Sequence, residues 1–460
     1  MNKRFRTCSL EQPFLLPPSL QDWLPEDHLA RFIAEVTETL DLSAIYGAHQ
    51  RKDGRGLAAY HPLMMTRLLL YGYCVGVRSS RRIEKATHDD LAFRYLAADQ
   101  HPDHDTIANF RREHLEALAG LFVQALELCR QAGLVKLGVV ALDGTKVHAN
   151  ASRLRSKKYA EMTAEQQRLQ ELVDRLLQEA EKTDAAEDAC FGKGRHEETL
   201  PLRLARAQGR LEKLHQAKRE LEEQAQQRLA EAQYPKSKPG PKRKDDPTPR
   251  VSQNERDKRK GAWKRARRDA ECPTRSYNFT DPDSRQMHDN GLKRIVQSYN
   301  AQLAVDAERQ VIVAAEVTQQ VNDRQQLIPM SEVVASNLGA PPEVLLADAG
   351  YWDTMSLEDT RLASTRLLIS PDAGGAKTPK RMLTQRLAQQ MREAISKPEG
   401  RALYRLRKFT VEPVFGQIKE QRGMRRFLLR GLAQAAGEWK LICLTHNLLK
   451  LHRYGQFQPA

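Results

Sequence analysis

The sequence predicts an α/β protein: a mixed five-stranded sheet with flanking helices, preceded by an all-helical region and interrupted by a long helical insertion. Three observations carry that prediction. The apolar period is helical from about residue 20 to 132, and residues 137–142 then form a short, nearly continuous apolar run. Residues from about 155 to 232 become rich in Leu, Glu, Gln, Lys and Arg, with leucines at helical spacing. Strand patterning returns after them, so the insertion falls between the first and second strands.

The N-terminal elements come first. "HPLMMTRLLLYGYCVGV" reads as one strongly apolar helix ended by glycines, "SSRRIEKATHD" opens on a serine suited to an N-cap, and "DDLAFRYLAA" follows. "PDHDTIANFRREH" starts a further helix with aspartates near its first turn and with Arg111 and Arg112 on its body. Short helices joined by tight turns, the last of them basic, fit a DNA-reading helix-turn-helix; a plain bundle with a charged face fits equally. Leu137 to Leu142 should be a buried strand with Asp143 at its carboxyl end. Leu169, Leu172 and Leu176 make one stripe and Leu204, Leu211, Leu214 and Leu221 another, as in two helices folded into an antiparallel hairpin.

The stretch "YPKSKPGPKRKDDPTPRVSQNERDKRKGAWKRARRDAE" combines proline, glycine and dense positive charge, and is expected to be a flexible linker. "SYNAQLAVDAERQVIVAAEVTQQ" gives two strands around a turn at "DAER", "DRQQLIPMSEVVASNL" a helix, "EVLLADAGYWD" a strand ending at Asp348, and "STRLLISPD" a fifth strand. "YRLRKFTVEPVFGQIKEQ" and "LAQAAGEWKLICLTHNLLKLH" close the chain as helices. The expected divisions are 1–132, a helical DNA-binding domain; 133–152, the first strand; 153–233, the hairpin insertion; 234–270, the linker; and 271–460, the rest of the core.

Composition narrows the partners. With 74 Lys and Arg against 59 Asp and Glu, the formal charge is +15 and the pI near 9.5, which favours a polyanion, nucleic acid foremost. No run of eighteen apolar residues exists and the N-terminus lacks the apolar centre of a signal peptide, so no membrane partner is expected and the location should be cytoplasmic, at the nucleoid. Six cysteines without C-x-x-C spacing read as reduced packing residues.

The acids at strand ends point to chemistry. In open α/β sheets reactive groups gather at the carboxyl edge, and if the hairpin pairs antiparallel to the first strand, that strand can lie beside the fourth. Asp143 in "LDGT" and Asp348 in "ADAG" would then be neighbours, each next to a glycine that leaves room for a ligand. Glu412 would add a third carboxylate from a helix capped by Thr410, with Pro413 in its first turn, and Lys419 would share its face. Three clustered carboxylates need a cation, and hard oxygen ligands favour Mg²⁺, with Mn²⁺ able to substitute. Two such ions about 4 Å apart suit phosphodiester chemistry.

Five motifs in order, "VVALDGTKVHANAS", "NFTDPDSRQM", "YNAQLAVDAERQVIVAAEVTQQVNDRQQLIPM", "LADAGYWD" and "VEPVFGQIKEQRGMRRFLLRG", resemble bacterial insertion-sequence transposases of the DDE type. "HPLMMTRLLLYGY" through "HDTIANFRREH" resembles the helical domain before their core. The resemblance implies a ribonuclease H-like fold, a catalytic and metal-binding triad at Asp143, Asp348 and Glu412, and a phosphate contact at Lys419. It also implies double-stranded element ends and target DNA as partners, with a homodimer pairing the ends. Relatives carry a tyrosine and an arginine ahead of the glutamate; Tyr404 and Arg407 stand one place further away, and Arg405 and Lys408 fit as substitutes. The basic turn adds Arg422, Arg425 and Arg426 as residues that would track DNA. An inactive DNA-binding regulator and a nuclease without strand transfer are the rival readings.

Overall fold

The structure, a computed structural model, describes residues 19–50, 59–191, 199–232, 253–289, 291–357, 359–371 and 382–455. Helices α1 (Leu29–Thr39), α2 (Ser43–Gln50), α3 (Pro62–Cys74), α4 (Ser80–Asp89), α5 (Leu91–Leu96), α6 (His104–Glu113) and α7 (Leu115–Gln131) precede strand β1 (Val139–His148). There follow β2 (Ser156–Lys158), α8 (Tyr159–Phe191), α9 (Thr199–Glu231), α10 (Gln253–Glu271) and β3 (Ser276–Asn278). Strands β4 (Arg285–Asp289), β5 (Arg294–Asp306) and β6 (Ile312–Thr318) lead to α11 (Leu327–Leu338), β7 (Val344–Ala347), α12 (Thr354–Leu357) and β8 (Arg366–Ile369). Helices α13 (Met382–Ser396), α14 (Pro398–Gly416) and α15 (Leu432–Tyr454) come last. No helix among the described residues is long and apolar enough to cross a membrane.

The chain divides into two compact units, one of residues up to Asn150 and from Asp283 onward, the other from Ala151 to Pro282. In the first, the mixed sheet runs β4-β5-β1-β7-β8, with β6 also paired to β5. β1 lies antiparallel to β5 and parallel to β7, the arrangement the hairpin argument requires. Among the described residues this sheet has six strands rather than five. The added one, β4, is mostly polar, with only Met287 deeply buried, and it forms because β5 extends far enough to offer it an edge. β1 likewise runs past Leu142 to His148, since β5 continues its ladder through that stretch.

Helix α15 is apolar on most of its circumference and is buried by β6, α7 and α3. Its Asn447 accepts from the Ile312 N–H and donates to the Ile312 C=O, both at 2.8 Å, completing the edge of β6 as another strand would. The helices expected as a separate N-terminal domain therefore share one compact unit with the sheet. Ser79 stands at the N-cap of α4 but makes no capping hydrogen bond, whereas Asp103 caps α6 by accepting from the Thr106 N–H. Cys74, Cys129 and Cys443 are buried free thiols and Cys272 an exposed one. Cys8 and the Cys190 side chain lie outside the described residues.

Glu412 is not in the first turn of its helix. α14 begins at Pro398, so Pro413 lies inside it, and the Thr410 hydroxyl donates to the Leu406 C=O instead of capping. Proline removes the donor that the carbonyl four residues earlier needs. That carbonyl, on Phe409, accepts from Gln310 Nε2 at 2.9 Å, which is how the helix continues through the proline.

In the second unit α8 packs along α9, and α9 against α10. Met162, Leu169, Leu214, Ala217, Leu221 and Tyr277 form its core, with Leu172 and Leu211 partly buried beside them, as the leucine stripes indicate. The linker expectation is corrected over α10: residues 253–271 are helical, held by an Arg228–Asp269 ion pair and by Asp269 accepting from the Thr274 N–H. Residues 234–252 lie outside the described ones.

Candidate active site

β1 pairs with β7 from Val139 to Ala141, ending at Ala141 opposite Leu346. Two residues further along each strand come Asp143 and Asp348, so the parallel register carries both acids to one end of the sheet. Asp143 remains in β1, paired with Leu303 of β5. Asp348 leaves β7 and caps the short turn Ala349–Tyr351, its carboxylate accepting from the Gly350 N–H at 2.8 Å.

A cavity of about 430 Å³ opens here, lined by Asp143, Asp348, Asp323, Lys146, Lys419 and Arg425 among others. Burial, and then the charge of Asp348, push the Asp143 carboxyl up to about 7, against the Gly144 N–H and Arg407, which favour ionisation. Burial followed by the charges of Asp323, Asp143 and Asp348 holds the Tyr351 phenol well above its usual range. Asp348 and Asp323 thus both bear on Asp143 in the cavity.

Lys146 sits between this acidic end and a basic one. Burial lowers its pKa, opposed by Asp323 and Asp143. Lys419, lowered by burial as well, has Asp289, Arg425, Glu420 and Lys146 as its charged neighbours. Its ammonium donates to Thr145 Oγ1 at 2.6 Å and to the Lys146 C=O at 2.8 Å, tying the π-helical turn Gln417–Gln421 that follows α14 to β1. Beside it His148 Nε2 meets Asp289 Oδ2 at 2.8 Å.

Glu412 reaches this site indirectly. Arg407 stands 3.8 Å from Asp143 Oδ2 and 3.5 Å from Glu412 Oε1, with its Nε buried and lacking a hydrogen-bond partner. Glu412 is half exposed and is not among the residues lining the cavity. Tyr404 donates to the Ala347 C=O at 3.3 Å, fastening α14 to the end of β7 just before Asp348. The structure therefore brings Asp143, Asp348 and Lys419 to one cavity and connects Glu412 to Asp143 through a guanidinium.

The remaining basic residues divide. Arg111 is buried and donates to the Arg78 C=O and Ser80 Oγ, and Arg422 is buried and donates to Thr445 Oγ1, so neither guanidinium faces the acids. Arg112 is exposed and donates to Asn109 Oδ1. Arg425 lines the cavity and pairs with Glu420, while Arg426 is exposed with its backbone bridged to His148.

Asp323 is the site acid that the sequence reading missed. Its Oδ1 accepts from Asn300 Nδ2 at 2.7 Å and from Gln302 Nε2 at 2.6 Å, which fixes the carboxylate over β5. It follows β6, which runs in the same direction as β1, but stands in the polar turn beyond Thr318 and not at the strand end, so the strand-end rule used for Asp143 and Asp348 passes over it. A side chain at Gly144 would collide with Gln302 and Asp323. The space beside that glycine serves this packing, in place of the ligand access expected there.

Among the described residues no group of three or more His, Cys, Asp or Glu is arranged to hold a metal. Mg²⁺ needs no such cage, since one or two carboxylates plus substrate phosphate oxygens are a usual set. Asp143 and Asp348, whose mutual repulsion a cation would relieve, fit that set.

Residues 18–113 match the family described as Transposase domain (DUF772), and residues 373–452 match the family described as Transposase DDE domain. No curated protein and no solved structure matches the chain. The first match covers most of the helices before the sheet and the second the helices from α13 into α15 that follow it, with a mixed α/β sheet between them consistent with a ribonuclease H-like core. In that order the two matches support an insertion-sequence transposase of the DDE type.

Proposed function

We propose that this transposase binds the terminal inverted repeats of its own element and cuts and rejoins DNA at Asp143, Asp348 and Glu412. The observation that carries the reading is the β1–β7 register, which sets Asp143 and Asp348 side by side in a cavity whose other lining includes Lys146, Lys419 and Arg425. A phosphodiester bound across it would have acids at the reacting phosphorus and cations on the flanking phosphates.

Asp143 and Asp348 would hold Mg²⁺ or Mn²⁺, two ions in all once Glu412 and the DNA phosphates complete the site. Bound metal supplies an activated hydroxyl and a stabilised leaving oxygen. Lys419, anchored on Thr145, fixes the phosphate path relative to β1. Arg407, within reach of both Asp143 and Glu412, offsets their charge before DNA arrives. Water attack frees a 3′-hydroxyl, which then attacks a target phosphodiester, and pairing two ends calls for a homodimer.

The test is purified protein with Mg²⁺ and duplexes carrying either the element's ends or scrambled ends. The expected result is cutting at true ends and joined products. Binding without cutting would favour the inactive regulator. Cutting with no preference for ends and no joined products would favour the plain nuclease.

A further inference from the structure

The turn that follows α14 faces two cavities. Lys419, Glu420 and Arg425 line the carboxylate cavity, while Gln417, Gln421 and Arg422 line a second one of about 730 Å³ that is walled by α15 and the end of α3. Arg422, Lys450 and Arg453 supply three cations to this second wall, and among the described residues Asp27 is the one acid lining it. Arg422 and Lys450 are each more than nine-tenths buried, and among the described residues neither has a carboxylate within ion-pair distance.

Their neutral partners leave them undersatisfied. Arg422 donates to Thr445 Oγ1 at 2.9 Å and through both terminal nitrogens to the Ile442 C=O at 3.4 Å, but its Nε has no hydrogen-bond partner. The Lys450 ammonium donates to Gln310 Oε1 at 2.9 Å. Burial lowers Arg422 to about 10, and burial together with Arg453 lowers Lys450 to about 8. His446, on the same wall, is driven to about 3 by burial and by Arg422, so it stays neutral and adds no charge. A buried cation without a counter-charge is costly, and an anion bound here would offset that cost.

We propose that this second cavity is a phosphate-binding site, filled by a backbone phosphate of DNA held at a distance from the reacting bond. A guanidinium beside an ammonium is the donor set that phosphate oxygens take, and the cavity is far larger than one free ion needs, which favours a phosphate carried on a polymer. The DNA source rests on the transposase reading; the phosphate site does not.

The experiment uses the full chain, Lys450→Met and the exposed-site variant Arg453→Ala, which guards against a folding failure at position 450. Inorganic phosphate, against chloride at equal ionic strength, should raise the wild-type thermal midpoint saturably, with an affinity at least about tenfold weaker in either variant. Duplex binding measured across salt concentrations should lose about one unit of slope in the variants. No phosphate effect beyond chloride, or wild-type affinity retained in both variants, overturns the site. Phosphate binding with an unchanged DNA slope keeps the site and overturns DNA as its source, giving it to free phosphate. Loss of strand cutting alone would touch the catalytic reading and leave the phosphate measurement standing.

Discussion

Asp143 carries a stability cost that its role explains. Its carboxyl is raised from 3.8 to about 7 by burial and by Asp348, so between those values the folded chain binds more protons than the unfolded one. The contribution is favourable below about pH 4 and is lost as the pH rises through about 7. Replacing Asp143 with Asn removes the titration. The variant should be more stable than wild type at pH 8, by on the order of 2 kcal/mol or more, with little difference at pH 4, as read from urea midpoints. A difference independent of pH would contradict the shared charge. Asp143 and Asp348 were legible because small residues and apolar strands bracket them. Asp323 was not, because "VNDRQQ" resembles any polar turn and only Asn300 and Gln302, from a neighbouring strand, aim its carboxylate into the site.

Helix α14 shows how an element can hide its own boundary. Pro413 beside Thr410 looks like a helix start, yet the helix is already well under way, because Gln310, in the β5–β6 turn with φ of +60°, supplies the donor that Phe409 lacks. Nothing within the helix sequence announces a partner that far away in the chain. Gln310 also accepts from Gln417 and Lys450, so Gln310→Ala should cost about 1 to 2 kcal/mol. Pro413→Ala gives Phe409 its own intrahelical donor and should shrink that loss. A double-mutant cycle is expected to show a coupling of about 0.5 kcal/mol or more, and strict additivity would reject the link. β4 escaped the sequence reading for the opposite reason: its pattern is too polar for a strand, and the extended β5 edge alone makes it one.

At the scale of the molecule, helices α1 to α7 and the sheet belong to one compact unit, and a buried ion pair joins them. Glu438 of α15 is fully buried, meets Arg78 at 3.1 Å, and accepts from the Leu428 and Leu429 N–H groups. Arg78 also donates to the Arg426 C=O, so the basic turn, the C-terminal helix and the N-terminal helices close on one carboxylate. Glu438→Ala leaves Arg78 buried and uncompensated and should cost about 3 to 5 kcal/mol in chemical unfolding. A loss below 1 kcal/mol would mean the helices dock independently of this contact. Apolar periodicity told which segments are helices, but one apolar helix, α15, serves both α7 and β6, and that double burial is invisible in a pattern.

The account rests on Asp143 and Asp348 acting as one site, and cutting of an end-bearing duplex in Mg²⁺ by Asp143→Asn and Asp348→Asn tests it most directly. Both variants are predicted to bind ends with near wild-type affinity and to leave the strands intact, as Glu412→Gln should. Wild-type cutting by either aspartate variant would contradict it.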